Sequence, residues 1–296
     1  MNTVLACFGR SPRLYESISS NVISHQTVIG VVRVVVQAAN IRKGFLKPRP
    51  SVLIRVQGRA DTQTTTRENK THSPNWFAES TYVLVYSLQD SLEFEILNHH
   101  RIIRTGLIGQ ATFPLSLLDD DPRRTGEEVP IIKNSNKANG TLLFNIFYYP
   151  VSVSKEISSS SYTGVITLFI WQAKGFNWES YSKKPRKIIV MTSLGWTDGP
   201  IHETHPCDLS EVAVWNSSYD FLCFDRTSTT VVMKIVDLDQ DKNLIVHGHI
   251  SLALDELILA QDEKRDWWSL SGRPDGQLRV TAEWRPIGMN RNSIYM

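Results

Sequence analysis

The residues of this chain best suited to chemistry are cations in clusters. Arg42, Lys43, Lys47 and Arg49 crowd one short stretch, and His99, His100, Arg101 and Arg104 crowd another. Arg55, Arg59, Arg67 and Lys70 follow the first cluster at looser intervals, and Lys183, Lys184, Arg186 and Lys187 form a tight later run around Pro185. Sets of this kind attract anionic partners, and arginine adds a planar fork that grips phosphate through two hydrogen bonds. Phe45 and Leu46 sit between Lys43 and Lys47, an apolar pair able to dip into a lipid headgroup layer beside the cations.

Other chemistries find less support. His202-Glu203-Thr204-His205-Pro206-Cys207 resembles a metal site only superficially: the histidines are not four apart, and Pro200 and Pro206 oppose a helix. A surface loop is the expectation there. His247 and His249 alternate along a strand and share a face, with nothing in the sequence to bring a third ligand. Trp267, Trp268 and Trp284 are expected in packing. There is no nucleophile elbow, no phosphate-cradling glycine loop and no interpretable carboxylate pair, so neither catalysis nor a cofactor is expected. Recognition helices, fingers and exposed aromatic ladders are also lacking, which argues against nucleic acid.

The scaffold that must hold the cations is duplicated. Gly30-Val31-Val32-Arg33-Val34-Val35-Val36-Gln37-Ala38-Ala39 returns 134 residues later as Gly164-Val165-Ile166-Thr167-Leu168-Phe169-Ile170-Trp171-Gln172-Ala173. Trp76 returns as Trp215, the run 92–97 as 231–236 and Gly109 as Gly248, all at an offset of 139. So long a period is a domain duplication rather than a solenoid, and 296 residues suit two domains. Strands are expected over 31–37, 52–57, 80–86, 92–97 and 141–148, then over 165–171, 187–192, 219–224, 230–236, 249–252 and 277–284. Pro114–Leu118 and Asp255–Leu259 are expected as short helical turns. The boundaries read as a flexible leader over 1–26, a first repeat over 27–151, a Ser-rich linker over 152–161, a second repeat over 162–288 and a tail over 289–296.

Charge separates the repeats. Residues 26–150 carry a net charge of +4 and residues 162–296 a net charge of −3, so the first repeat is the better candidate for an anionic partner. No apolar run reaches the roughly 18–20 residues that span a bilayer. Three cysteines without a framework spacing suit a reducing, cytoplasmic setting.

Each repeat resembles a C2 domain. The likeness rests on the Gly-opened first strand and on the Trp-bearing phrases Pro74-Asn75-Trp76 and Val214-Trp215-Asn216. It extends to an apolar strand running into a polar loop and to a last strand opened by Gly140 or Gly276. The closing phrases Phe147-Tyr148-Tyr149-Pro150-Val151 and Glu283-Trp284-Arg285-Pro286-Ile287 resemble tricalbins and extended synaptotagmins, multi-C2 proteins that hold endoplasmic reticulum against plasma membrane. The resemblance implies an all-β fold: two antiparallel eight-stranded C2-type β-sandwiches joined by the short Ser-rich linker. That family places a membrane anchor and a lipid-carrying domain ahead of its C2 array. The chain is accordingly expected to be a fragment, a truncated product or a divergent relative.

The resemblance also implies where calcium ligands belong, since Ca²⁺ needs six to eight oxygens and gains affinity with carboxylate charge. In the first repeat the five family positions hold Lys43, Arg49, Asn98, His100 and Gly106, with no acid among them. In the second they hold Trp178, Lys184, Asp237, Asp239 and Ile245, leaving Asp237 and Asp239 as a residual calcium loop. No metal is expected in the first repeat. Arg42, Lys43, Lys47, Arg49, Arg101 and Arg104 would instead converge at one end of its sandwich, a constant positive charge in place of a conditional one. Arg55, Arg59, Arg67 and Lys70 would form the concave basic surface with which C2 domains often bind phosphoinositides, and the run from Lys183 to Lys187 a second contact. The expected function is calcium-independent, peripheral binding of anionic phospholipids or phosphoinositides on the cytosolic face of membranes, within a tether at endoplasmic reticulum–plasma membrane contacts or a trafficking protein. The competing expectation is a protein-interaction scaffold that has lost lipid binding and docks other C2 or membrane-contact proteins. The acidic second repeat suits that role better than the first.

Overall fold

The computed structural model describes residues 26–42, 46–99, 105–133, 137–152, 162–176, 187–195, 197, 199–208, 211–238 and 244–288. The chain divides into two compact units, 1–151 and 152–296.

In the first unit the strands are β1 (Gly30–Ile41), β2 (Pro50–Val56), β3 (Gln63–Thr64), β4 (Asn75–Val85), β5 (Ser91–Asn98), β6 (Gly106–Pro114), β7 (Arg123–Lys133) and β8 (Lys137–Pro150), with a single helical turn α1 (Leu117–Asp120) before β7. Their order is β3-β2-β5-β6-β7-β8-β1-β4. Only the pair Gln110 and Ile132 joins β6 to β7, so the run closes over itself as two four-stranded layers. Period-two alternation explains the closure: Leu92, Phe94 and Ile96 on β5 and Leu142, Phe144 and Ile146 on β8 are fully buried, while their sequence neighbours are not. Phe144 meets Phe94 at 4.8 Å and Phe113 at 5.6 Å, the latter edge-on, so three rings from the two layers interlock.

The second unit repeats the plan. It comprises β9 (Gly164–Lys174), β10 (Lys187–Leu194), β11 (His202–Glu203), β12 (Cys207–Asp208), β13 (Val212–Cys223), β14 (Thr230–Leu238), β15 (Leu244–Ala253), α2 (Leu254–Leu259), β16 (Trp267–Ser269) and β17 (Gln277–Pro286). One sheet runs β11-β10-β14-β15 with β12 also on β10, and the other runs β13-β9-β17-β16. The all-β sandwich expected for each repeat is the architecture found. Strands β6, β7, β16 and the two-residue β3, β11 and β12 are additions to the strands expected by range.

The repeats agree even in a local irregularity. Pairing slips between Val36 and Ala38 on β1, and between Val214 and Ser217 on β13. Phe77 and Asn216, equivalent at the 139-residue offset, both take a left-handed backbone, with φ of 48° and 46°. The kink keeps the preceding tryptophan in the core: Trp76 donates its ring N–H to Thr66 O at 3.0 Å, and Trp215 to Ile188 O at 3.3 Å. Asparagine tolerates this conformation, whereas a bulky residue is strained in it by roughly 1–2 kcal/mol.

Candidate functional site

Antiparallel register fixes what gathers at one end of the first repeat. Pro50 pairs with Asn98, Asn98 with Gly106, and Ile41 with Gly140, so the connections after β1, after β5 and between β7 and β8 share that end. Asn98, at a family calcium-ligand position, uses its side-chain oxygen to accept the Arg49 N–H at 2.9 Å, and the Arg49 carbonyl accepts the His99 N–H at 3.0 Å. An amide thus holds the loop where a carboxylate would hold an ion. His99 Nε2 lies 2.7 Å from Ser51 Oγ, and burial, aided by nearby Arg67, lowers its pKa. That keeps the imidazole neutral around pH 7.

Arg42, Lys47 and Arg67 are exposed and Arg49 is half-buried; none of the four makes an ion pair among the described residues. Leu46 beside Lys47 is 75 % exposed, and Leu107 at the start of β6 is 45 % exposed. Lys43, Phe45, His100, Arg101 and Arg104 lie outside the described residues.

The group Arg55, Arg59, Arg67 and Lys70 is divided by the fold. Arg55, on β2, donates to Glu93 at 2.8 Å and Glu95 at 3.0 Å on neighbouring β5, and the hydrogen bond to Glu93 is the main cause of its raised pKa. Two carboxylates cancel that charge locally. Arg59 stands in the turn after β2, at the opposite end of that strand from Arg49. There its guanidinium covers the Tyr86 ring at 3.8 Å and donates to Gln26. Arg67, beside His99, belongs to the loop end, and Lys70 is exposed in the same connection between β3 and β4. A single concave basic surface is therefore not assembled from these four.

In the second repeat Asp237, at the end of β14, is 7 % exposed and pairs in register with Ile188 and Ile245. His247, two residues along from Ile245, is also buried; desolvation lowers its pKa and the Asp237 charge opposes that shift. Arg273 donates its Nε–H to the His247 carbonyl at 3.0 Å and spreads over Phe176 at 6.0 Å. The surviving carboxylate is enclosed rather than presented. Asp239, Lys183, Lys184 and Arg186 lie outside the described residues, whereas Lys187 is exposed opposite Asp208. His202 belongs to strand β11 instead of a loop. It stacks on Tyr219 at 4.8 Å with Nε2 3.1 Å from Ser217 Oγ, and burial, then His205, lowers its pKa to about 4. Among the described residues no three His, Cys, Asp or Glu side chains converge as a metal site.

Sequence reasoning passed over Lys133 and Lys137 at the same end of the first repeat, because Arg123–Lys133 carries Gly126 and Pro130 and buries little besides Ile131. It also passed over Leu107, whose one available signal is an apolar residue next to a loop.

The C2 domain family model matches residues 30–129 and 164–270, once per repeat, and the chain belongs to that family. Tricalbin-2 of Saccharomyces cerevisiae is 26 % identical over 274 residues, covering 88 % of this chain and 22 % of that protein. An uncharacterized protein of Schizosaccharomyces pombe is 22 % identical, covering 74 % of this chain and 17 % of its own length. The chain thus spans about a fifth of the curated relatives it matches. The paired C2 domains of extended synaptotagmin 2 superpose with a TM-score of 0.63 at 16 % identity, covering 95 % of this chain and all of that one. A longer structure of the same protein, with its SMP domain, gives 0.67 over 89 % of this chain and 58 % of that one, again at 16 % identity. The tandem C2 arrangement resembling tricalbins and extended synaptotagmins is therefore found. Among the described residues no helix is long and apolar enough to cross a membrane.

Proposed function

We propose that the first repeat docks on anionic phospholipid membranes without calcium, and that the chain serves as the peripheral C2 portion of a membrane tether or trafficking protein. One observation carries this reading. Family ligand positions hold Arg49, Asn98 and Gly106, and around them Arg42, Lys47, Arg49 and Arg67 have no ion-pair partner among the described residues. Each cation near an anionic surface contributes roughly 1 kcal/mol. Exposed Leu46 and Leu107 at the same end add apolar area that can enter the headgroup layer. Similarity to Tricalbin-2 supports a place on the cytosolic face, at endoplasmic reticulum–plasma membrane contacts, and a binding role rather than a catalytic one. Sedimentation of the full chain with phosphatidylserine vesicles in EGTA tests it: binding is expected, and its absence at low salt would refute the reading.

A second reading applies to the second repeat. The outer face of the β13-β9-β17-β16 sheet carries Phe169 stacked on Trp171 at 5.6 Å, Lys174 over Trp267 at 4.1 Å, and Arg279 over Trp171 at 5.8 Å. Val212 and Val214 are 41 % and 44 % exposed beside them. Aromatic and arginine side chains framed by apolar surface are the composition of protein–protein hot spots, which favours protein docking for this repeat. Membrane recruitment that survives loss of the loop cations but not of Trp171 and Trp267 would assign recruitment to that face.

A further inference from the structure

Between the end of β1 and the β7–β8 hairpin, the first repeat has an open cleft of about 220 Å³ lined by Arg42, Lys133, Lys137, Ala138 and Asn139. At roughly 30 Å³ per water-sized group, it has room for a tetrahedral oxyanion and its ester. Its floor is held by backbone. The Arg42 N–H donates to the Asn139 carbonyl at 2.8 Å, and Asn139 Nδ2 donates to the Ile108 carbonyl at 3.0 Å. Gly140, at φ +136°, brings the two strands so close that a Cβ there would lie 1.9 Å from the Asn40 carbonyl oxygen. Only glycine permits that approach.

The charge arrangement is costly unless an anion completes it. Lys133 and Lys137 are paired directly opposite each other in register, and like charges so placed destabilise a hairpin. Arg42 adds a third cation to the same cleft. None of the three makes an ion pair among the described residues. The second repeat lacks the arrangement: its hairpin between β16 and β17 turns Arg273 inward onto the His247 carbonyl.

We infer that this cleft is a phosphomonoester site, occupied by a phosphorylated ring that is either the headgroup of a lipid or a soluble inositol phosphate. A phosphomonoester carries a charge of about −1.5 to −2 near neutral pH, which balances three clustered cations better than the single charge of a phosphodiester. Arg42 offers the bidentate fork, while Lys133 and Lys137 act as point charges. The inference deepens the membrane reading by adding a selective contact to a general attraction. It differs in location from the Arg55 strand, where Glu93 and Glu95 already occupy the guanidinium.

Two measurements on the full chain separate the sources and keep this inference distinct from the membrane reading. Calorimetric titration with inositol 1,4,5-trisphosphate tests the soluble ligand. Vesicle binding in EGTA, with phosphatidylserine alone or with phosphatidylinositol bisphosphate at equal total charge, tests the lipid. Saturable binding of the trisphosphate is expected, with a preference of about tenfold or more for the bisphosphate vesicles. K133Q/K137Q should remove both, while K47Q, outside the cleft, should leave both. Both variants should melt like the parent chain, since the side chains are exposed. Trisphosphate binding with no vesicle binding of either kind would support the cleft with a soluble ligand and refute the membrane reading. Equal binding to both vesicles with no trisphosphate binding would refute the cleft and leave the membrane reading standing. A double variant that keeps the preference would likewise overturn the inference.

Discussion

The two loop ends began from one plan and reached opposite solutions. In the first repeat Asn98 hydrogen-bonds the Arg49 backbone, and Arg42, Lys47, Arg67, Lys133 and Lys137 face solvent. In the second, Asp237 is retained but buried, His247 is buried near it, and Arg273 folds over Phe176 and the His247 carbonyl. Losing acidic ligands therefore has two physical outcomes. A loop end can exchange ligand charge for cations and remain a contact surface, or it can enclose what is left and become packing.

The largest effect that would test this contrast is on membrane affinity. R42Q/R49Q/R67Q together with K47Q removes four charges at roughly 1 kcal/mol each, so vesicle affinity should fall on the order of a thousandfold with little change in melting temperature. K187Q in the second repeat should cost less than about fivefold. Equal losses from the two sets, measured by vesicle sedimentation, would erase the distinction between the repeats.

The second test uses pH and belongs to the second repeat alone. His202 has its folded pKa lowered from 6.5 to about 4 by burial against Tyr219 and Ser217. As pH falls below 6.5 the unfolded chain takes up a proton that the folded chain refuses, so stability declines until about pH 4 and then levels for this group. The loss should approach roughly 2–3 kcal/mol, at 1.36 kcal/mol per unit. Urea unfolding across that range should show it, and H202F, which keeps a ring on Tyr219, should flatten the slope. An unchanged slope in H202F would place the pH sensitivity elsewhere.

Much of this contrast was legible in the sequence. Alternation in Leu92–Leu97 announced β5, and the 139-residue offset announced its partner in the second repeat. The cations of the first loop were plain, as was their substitution for acids. What the sequence concealed was pairing across strands. Glu93 and Glu95 lie on one face of β5, but that Arg55 of β2 faces them depends on a register read only from the fold. Strand β7 was hidden by Gly126, Pro130 and its charged residues, and with it the Lys133–Lys137 pair. In Trp267-Trp268 the short strand β16 sends only Trp268 into the core, a distinction that a doublet of identical residues cannot display.

A third test, smaller in size, asks whether the shared kink matters for function. Phe77 is 85 % exposed with φ 48°, about five residues along the strand from the loop tips, or roughly 16 Å. Phe77→Asn, the residue at the equivalent position of the second repeat, should raise stability by about 1 kcal/mol. Vesicle binding should be unchanged; a marked loss would bring the β4 edge into the membrane contact.

The most direct measurement is vesicle binding by the full chain in EGTA and in millimolar calcium, each at low and high salt. Anionic vesicles should be bound equally with and without calcium, and released as the Debye length shrinks from about 10 Å at 0.1 M salt to about 3 Å at 1 M. Binding that appears only when calcium is added would contradict the replacement of ligand carboxylates by cations.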